Sequence, residues 1–261
     1  MSRPPRVLVF DSGVGGLSVL AAVRARAPGC EFLFACDNAA FPYGTKDEAE
    51  LVERVDRVLH RLVRHEQPDV LVVACNTAST VALPRLRARL PHPVVGVVPA
   101  IKPAAALSAT RVIGLLGTPG TVNRAYTRQL IADFAADCEV IPVGSARLVE
   151  IAEQALRGTA PDLGEVRAIL EPLFAHPALD TLVLACTHFP LLADVLAAAA
   201  PRPVQWVDSG DAIARRVLTL VPGPTDGPDR GFRALFTGAV GSEALHPALT
   251  ARGCREIAVL S

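Results

Sequence analysis

Ten short apolar runs alternate with longer amphipathic stretches along the chain, and this alternation limits the fold more narrowly than any other feature. Segments such as DEAELVERVDRVLHRLVRH (47–65) have the spacing of an amphipathic helix. Apolar strands that alternate with helices are typical of parallel sheets covered by helices on both faces. The predicted class is therefore α/β. The predicted strands lie near residues 6–10, 31–35, 69–74, 93–97, 111–117, 138–142, 180–185, 203–207, 232–236 and 256–260.

The order of these segments indicates two domains rather than one broad sheet. Residues 99–109 are interpreted as a connector, and RVIGLLGTPGTV (111–122) then begins a new strand–helix unit. VDSGDAIARR (207–216) repeats the form of VFDSGVGGLS (9–18), which suggests two similar halves. We expect two similar α/β domains, each a mainly parallel sheet flanked by helices. Their predicted boundaries are 1–98 plus 208–261 for the first domain and 99–207 for the second.

The charge and cysteine content of the chain disfavour several classes of protein. The 26 basic residues balance the 26 acidic ones, so there is no electrostatic footprint for nucleic acid or an anionic membrane. We identify no signal peptide and no apolar stretch long enough to span a membrane. The six cysteines form no CxxC pair and show no zinc-type spacing. We expect a soluble cytoplasmic enzyme with reduced thiols, no metal, and no nucleic-acid or membrane partner.

Two cysteines, Cys75 and Cys186, stand at the ends of apolar strands in matching surroundings. They lie in LVVACNTAST (71–80) and LVLACTHFPLL (182–192). Ligands of parallel sheets bind beyond the carboxyl ends of the strands, and a helix N-terminus at that point favours a thiolate. The other four cysteines are interpreted as inert apolar side chains. Small polar residues follow both thiols: Asn76 and Thr77 after Cys75, and Thr187 and His188 after Cys186.

Two thiols in such positions favour proton transfer over other chemistry. The cysteines of a disulfide switch are more commonly close in sequence, and a metal site needs ligands beyond His188. A thiolate that removes a proton from carbon, opposite a thiol that delivers another, makes a two-base racemase or epimerase. A pyridoxal-phosphate enzyme needs a Schiff-base lysine, and the chain has only Lys46 and Lys102, with no recognisable phosphate loop. We therefore expect no cofactor.

The segment VFDSGVGGLS (9–18) is a further candidate site. Its glycine spacing differs from the dinucleotide fingerprint, which disfavours an NAD site. The glycines instead let backbone N–H groups approach a carboxylate, with Ser12 as a side-chain donor. Asp11 either caps the following helix or binds a substrate ammonium group and assists a cysteine.

Three more candidates lie in a loop, a strand end and a helix. The turn FPYGTK (41–46) is either a surface loop or an anion site built from the backbone N–H groups of Tyr43 and Gly44. His188 either caps its helix or relays the proton of a neighbouring thiol. Glu150 lies on a helix whose charges are mostly solvated, so a functional role is the lesser hypothesis for it.

Six motifs together resemble the glutamate racemases of the aspartate/glutamate racemase superfamily, over nearly the whole chain. The resemblance implies cofactor-independent interconversion of L- and D-glutamate, which supplies D-glutamate for peptidoglycan and the cell wall. It also implies that the active site lies in the cleft between the two domains, and the need to exclude water from the developing charge predicts that this cleft closes on substrate. The motifs are VFDSGVGGLSVL, DNAAFPYGTK, LVVACNTAST, RVIGLLGTPGTV, LVLACTHFPLL and VDSGDAIA.

The resemblance assigns roles to individual residues. It implies that Cys75 removes the α-proton of D-glutamate and that Cys186 removes that of L-glutamate. Asp11, His188 and Glu150 match positions that assist the thiols. Glu153, one helical turn beyond Glu150, is the alternative acidic assistant, because the sequence around this helix differs from that of many family members. The matched substrate-binding positions are Asp11, Ser12, Tyr43, Gly44, Asn76, Thr77, Thr187 and His188.

Partners and rival functions also follow from the resemblance. Glutamate is the expected substrate, and a cell-wall precursor as activator and a homodimer are hypotheses because some members have them. An aspartate or hydantoin racemase would keep both thiols and differ in its substrate pocket. A decarboxylase or isomerase of this fold usually keeps only one of the thiols. A non-catalytic amino-acid-binding regulator would bind glutamate but exchange no α-proton.

Overall fold

The chain divides into two compact units. Unit 1 comprises Met1–Val97 and Gly210–Ser261, and unit 2 comprises Val98–Ser209. The computed structural model describes residues 3–239 and 241–260. The predicted domain boundaries, 1–98 plus 208–261 and 99–207, stay a prediction.

Every predicted strand is present, each close to its predicted place in the sequence. The apolar side chains of the inner strands are buried, as expected for strands covered on both faces, whereas the edge strands β6 and β10 are only partly buried, with Val259 46% exposed. The strands are β1 (Arg6–Asp11), β2 (Glu31–Cys36), β3 (Val70–Val73), β4 (Val94–Gly96), β5 (Val112–Gly117), β6 (Glu139–Gly144), β7 (Thr181–Ala185), β8 (Gln205–Val207), β9 (Phe232–Phe236) and β10 (Cys254–Val259).

Helices connect most of these strands. No helix within the described part of the chain is both long and apolar enough to cross a membrane. The helices are α1 (Leu17–Arg26), α2 (Glu48–Glu66), α3 (Asn76–Arg89), α4 (Ile101–Leu107), α5 (Pro119–Val122), α6 (Ala125–Phe134), α7 (Arg147–Leu156), α8 (Leu163–Phe174), α9 (Ala193–Ala199), α10 (Gly210–Leu218) and α11 (His246–Ala251).

Each unit is built around one parallel sheet. Unit 1 has six strands in the order β10-β9-β2-β1-β3-β4, and unit 2 has four in the order β6-β5-β7-β8. Every neighbouring pair within the two sheets runs parallel. The predicted α/β class with two mainly parallel sheets is therefore confirmed.

The longest helix, α2, shows how the sequence sets these elements. Its N-terminus is capped by Asp47, whose carboxylate accepts hydrogen bonds from the backbone N–H groups of Ala49 at 2.9 Å and Glu50 at 3.1 Å. One face then buries side chains such as Leu51 and Leu59 in the core of unit 1. Burial of each such leucine stabilises the unit by about 1.5–3 kcal/mol.

The interpretation of residues 99–109 as a plain connector is wrong, because they contain α4. Ile101 and Ala104 are fully buried against the sheet of unit 2, in a cluster that includes Ile113 and Val183. Alanine has the highest helix propensity, and three consecutive alanines, residues 104–106, favour the helix. The segment is thus part of the core of unit 2.

The register of each sheet brings particular residues to the carboxyl edge. In unit 1, Phe10 of β1 pairs with Val73 of β3, so the chain leaves both strands at the same level. In unit 2, Gly117 of β5 pairs with Ala185 of β7 in the same way. The residues that follow these strands therefore form the candidate site in each unit.

Candidate active site

Five buried residues gather at the carboxyl edge of the sheet in unit 1. Asp11 ends β1, and Gly16 lies so close to it that a Cβ on Gly16 would approach Asp11 Cβ to 2.8 Å. A glycine at this position therefore lets the turn after β1 pack against the strand end. We refer to Asp11, Ser12, Cys75, Asn76 and Thr77, each at most 6% exposed, as the Cys75 cluster.

The thiol of Cys75 lies between a hydroxyl group and a helix N-terminus. Ser12 Oγ is 3.7 Å from Cys75 Sγ, and the Ala78 backbone N–H donates to the same sulfur at 3.5 Å. Cys75 is the N-cap residue of α3, so the predicted helix N-terminus is present at this thiol. An N–H group aimed at sulfur and the positive end of a helix both favour a thiolate.

Asp11 holds Ser12 in place. Its Oδ1 accepts a hydrogen bond from the Ser12 backbone N–H at 2.6 Å and lies 3.3 Å from Ser12 Oγ. Asp11 is fully buried at the end of its strand. The structure thus brings together the three residues that the sequence singled out, with the serine between the carboxylate and Cys75.

Asn76 and Thr77 are the first two residues of α3. Asn76 is 5% exposed, and its Oδ1 has no hydrogen-bond partner within the described residues. A buried amide oxygen without a donor costs free energy. This atom is therefore available to accept a hydrogen bond from a ligand, such as one from an ammonium group.

The loop with Tyr43 is fixed by a buried carboxylate, Asp37. The Tyr43 hydroxyl donates to Asp37 Oδ2 at 2.5 Å, and Arg54 donates to both Asp37 oxygens at 2.9 and 2.6 Å. Thr237 Oγ1 donates to Asp37 Oδ1 at 2.6 Å. Burial alone would raise the pKa of Asp37, but these hydrogen bonds hold that pKa below its usual range.

The Tyr43 hydroxyl is therefore a structural group. Burial and then the Asp37 carboxylate raise the pKa of Tyr43 far above its usual range. Tyr43 and Gly44 lie in one turn of 3-10 helix, Tyr43–Thr45. The use of their backbone N–H groups as an anion site stays a prediction. Sequence reasoning missed Asp37 and Arg54, although Asp37 stands in the same DNAAFPYGTK motif.

A second group of buried residues lies at the carboxyl edge of the sheet in unit 2. Cys186 follows β7 directly and is followed by Thr187 and His188. Glu153 comes from α7. We refer to these four residues, each at most 7% exposed, as the Cys186 cluster.

The expectation of an α-helix N-terminus directly after Cys186 is wrong. In an α-helix the N–H group four residues on would bond to the Cys186 carbonyl, but that residue is Pro190, which has no N–H group. The Phe189 N–H donates to the Cys186 carbonyl instead, at 3.1 Å. The chain therefore forms a 3-10 turn, Phe189–Leu192, before α9 begins.

A histidine and a carboxylate support the thiol in this cluster. Cys186 Sγ is 3.7 Å from His188 Nδ1, and His188 Nε2 is 3.0 Å from Glu153 Oε1. Thiol, imidazole and carboxylate are thus arranged in series. This is the arrangement of a nucleophile or base with a histidine oriented by a carboxylate.

Glu153, not Glu150, is the acidic residue at this position. Glu150 is exposed and its Oε2 accepts a hydrogen bond from Arg147 at 3.0 Å. Glu153 is therefore the better candidate for the acidic assistant, and the role of either glutamate stays a prediction. Both residues lie on α7, and the one on the buried face reaches His188. Within the described residues there is no group of three or more side chains that could hold a metal ion.

Comparison with known proteins gives the family. A sequence model described as Asp/Glu/hydantoin racemase matches residues 17–217. The chain belongs to this racemase family. It is thus an isomerase.

Individual members of the racemase family are similar to the chain over most of its length. The glutamate racemase of Vibrio cholerae is 52% identical over 85% of this chain and 83% of its own length. That of Sodalis glossinidius is 46% identical over 97% of this chain and 89% of its own. Among solved structures, Escherichia coli glutamate racemase with L-glutamate and the activator UDP-MurNAc-Ala has a TM-score of 0.93 and 46% identity, covering 99% of both chains.

Proposed function

We propose that the chain interconverts L-glutamate and D-glutamate by two-base proton transfer without a cofactor. The observation that carries this proposal is the pair of buried strand-end thiols, Cys75 and Cys186, each with its own groups for handling a proton. Relatives that are about half identical over most of the chain are glutamate racemases, which favours glutamate as the substrate.

In the direction from L- to D-glutamate, Cys186 starts as a thiolate and Cys75 as a thiol. The Cys186 thiolate takes the α-proton and becomes a thiol, while Cys75 delivers its proton to the other face of the α-carbon and becomes a thiolate. The reverse reaction exchanges the two roles. This requires that the thiols reach opposite faces of the same α-carbon, and each returns to its starting state by proton exchange with water.

The α-proton of an amino acid is a very weak acid, so the developing carbanion must be stabilised. Hydrogen-bond donors at the substrate carboxylate would do this best in a site from which water is excluded. Buried hydroxyls of Ser12 and Thr77 are the candidates in unit 1, with Thr187 in unit 2. The unpartnered oxygen of Asn76 is suited to accept from the substrate ammonium group.

Asp11 and His188 differ in what they do for the thiols. Asp11 positions Ser12 beside Cys75. His188 can take the proton of Cys186 on Nδ1 while Glu153 stabilises the resulting imidazolium. The backbone of Tyr43 and Gly44 is proposed to bind a substrate carboxylate.

The wider role follows from the substrate. D-glutamate produced here would supply peptidoglycan synthesis in the cytoplasm. Because the E. coli enzyme was solved with a UDP-MurNAc-Ala activator, a cell-wall precursor of this kind is also proposed as an activator of this chain. A homodimer is a further proposal, and its mass in solution is the test.

Polarimetry with a substrate panel tests the proposed substrate. Protein purified without pyridoxal phosphate is expected to abolish the optical rotation of L-glutamate and of D-glutamate, with and without added UDP-MurNAc-Ala. L-aspartate and a 5-substituted hydantoin are the comparison substrates within the same family. Faster turnover of either would overturn glutamate as the substrate while leaving the two-thiol chemistry intact.

A further inference from the structure

Helix α7 carries two arginine–glutamate pairs that differ in their surroundings. Arg147 binds Glu150 near the start of the helix, where both side chains are about half exposed. Arg157, the C-cap residue directly after the helix, binds Glu153, whose side chain is only 9% exposed. Only the second pair lies against a member of the Cys186 cluster, because Glu153 also contacts His188.

Both oxygens of the Glu153 carboxylate have a defined partner. Oε1 is 3.0 Å from His188 Nε2, and Oε2 accepts a hydrogen bond from Arg157 Nη2 at 3.1 Å. A carboxylate held at both oxygens cannot rotate without breaking one of these contacts. Arg157 thereby fixes the orientation in which Glu153 presents Oε1 to the imidazole.

We infer that Arg157 is a positioning residue for proton transfer at Cys186. The inference rests on the proposed function and extends it by one residue, from thiol, imidazole and carboxylate to a guanidinium. The effect of Arg157 on Cys186 passes through Glu153 and His188.

The physical reason is the charge on Glu153. A carboxylate that is nearly buried loses solvation, and a guanidinium beside it stabilises the ionised form. An ionised Glu153 accepts a hydrogen bond from His188 Nε2–H, which leaves the Nδ1 lone pair directed at Cys186, 3.7 Å away. Without Arg157, Glu153 is less firmly ionised and oriented, so the imidazole is a poorer proton acceptor for the thiol.

A purely structural role for Arg157 makes a different prediction. A positive side chain at a helix C-terminus stabilises the helix through its dipole. Loss of that effect lowers the thermal midpoint of the protein but does not favour one proton transfer over the other. A test must therefore distinguish an effect on proton transfer at Cys186 from an effect on proton transfer at Cys75.

Directional isotope effects make this separation. The two enantiomers are equally stable, so any variant must lose the same factor in kcat/KM in both directions. If removal of the proton by Cys186 becomes slower, however, that step limits the rate more strongly. The α-deuterium isotope effect on kcat/KM then rises for L-glutamate and falls for D-glutamate.

The experiment compares Arg157→Gln, Arg157→Lys and Arg147→Gln with the wild type. One charge-assisted hydrogen bond that is partly exposed is expected to contribute about tenfold to kcat/KM. We therefore expect Arg157→Gln to lose about tenfold and to raise the ratio of the L to the D isotope effect. Arg157→Lys should recover part of both changes. Arg147→Gln, which removes the exposed ion pairs with Glu150 and Glu165, should stay within about twofold of the wild type with an unchanged ratio.

Four outcomes count against this inference. If Arg157→Gln matches Arg147→Gln, or loses activity with no change in the isotope-effect ratio, Arg157 does not act through Cys186. If Arg157→Gln does not fold, as judged by circular dichroism, then Arg157→Lys must show the same directional shift, and an unchanged ratio would contradict the role. A folded wild type that does not racemise glutamate would overturn the proposed function, and this inference with it.

Discussion

The Cys75 and Cys186 clusters occupy the same position in their sheets but support their thiols by different means. Cys75 has a helix N-terminus and a serine held by Asp11. Cys186 has no α-helix directly after it and has a histidine held by Glu153. The matching sequence motifs thus specify where each thiol lies, and the residues around them determine which polar groups contact its sulfur.

Pro190 accounts for much of this difference. A proline four residues after Cys186 prevents the α-helical hydrogen bond that the corresponding residue of the other motif, Ser79, makes to the Cys75 carbonyl at 2.9 Å. The N–H group of Ala78 that donates to the Cys75 sulfur has no helical counterpart at Cys186. At Cys186 the polar group beside the sulfur is instead the His188 imidazole, whose Nδ1 is 3.7 Å from Sγ.

Among the residues around the two thiols, Glu153→Gln is expected to have the largest effect on activity. The change removes the negative charge that stabilises an imidazolium at His188, so we expect kcat/KM to fall by about 10- to 100-fold. The ratio of the L to the D isotope effect should rise, since only the Cys186 cluster is altered. Glu150→Gln is the matched control on the same helix and should remain within about twofold. A larger loss in Glu150→Gln than in Glu153→Gln would reverse the assignment.

Ser12→Ala should lower kcat/KM less than Glu153→Gln does. It should also lower the ratio of the L to the D isotope effect, whereas Glu153→Gln should raise it. The hydroxyl lies 3.7 Å from Cys75 Sγ, and the helix N-terminus still supports the thiolate after its loss. A loss of up to about tenfold in kcat/KM is expected, with a larger isotope effect for D-glutamate than for L-glutamate relative to the wild type. Ser18→Ala, which removes a hydroxyl bonded to the Gly15 carbonyl, is the control. Equal shifts in both isotope effects would show that the two clusters are not separable.

Asp180→Asn should leave the isotope effects unchanged and act on stability alone. The Asp180 carboxylate before β7 accepts hydrogen bonds from Ser108 Oγ at 2.7 Å, Thr110 N at 2.9 Å and Thr181 Oγ1 at 2.8 Å. Burial alone would raise its pKa, but these bonds lower the pKa from 3.8 to about 2. The folded-state pKa is thus below the unfolded value. The resulting stabilisation, about 2 kcal/mol, is present above pH 3.8 and is lost as the pH falls towards about 2.

Urea unfolding as a function of pH measures this contribution. The wild type should lose more unfolding free energy than Asp180→Asn between about pH 4 and pH 2. Asp137→Asn, which removes an exposed ion pair with Arg111, should resemble the wild type because such pairs contribute little. If the unfolding free energies of the wild type and Asp180→Asn change with pH in parallel, this carboxylate does not stabilise unit 2.

The sequence predicts the features of the molecule that depend on local patterns. All ten strands follow from apolar runs, and both strand-end thiols follow from the motifs that contain them. The position of Asp11 and Ser12 beside Cys75 follows from the rule that parallel strands end at one edge. These features need no knowledge of which side chains meet across the fold.

The features that the sequence could not supply depend on long-range contacts. Glu150 and Glu153 lie one turn apart on an amphipathic helix, and only burial against His188 distinguishes them. Asp37 is held by Arg54 and Thr237, which are 17 and 200 positions away. The missing helix after Cys186 could have been predicted, because Pro190 stands where the first helical N–H group should be.

Proton NMR in D2O tests the central claim most directly. The wild type with L-glutamate should yield D-glutamate that carries deuterium at the α-carbon, because the delivering thiol exchanges with solvent. Cys75→Ser and Cys186→Ser should each lose at least about 100-fold in turnover. D-glutamate that retains the original α-proton, or a cysteine variant with wild-type turnover, would contradict the account in which two thiols act as the two bases.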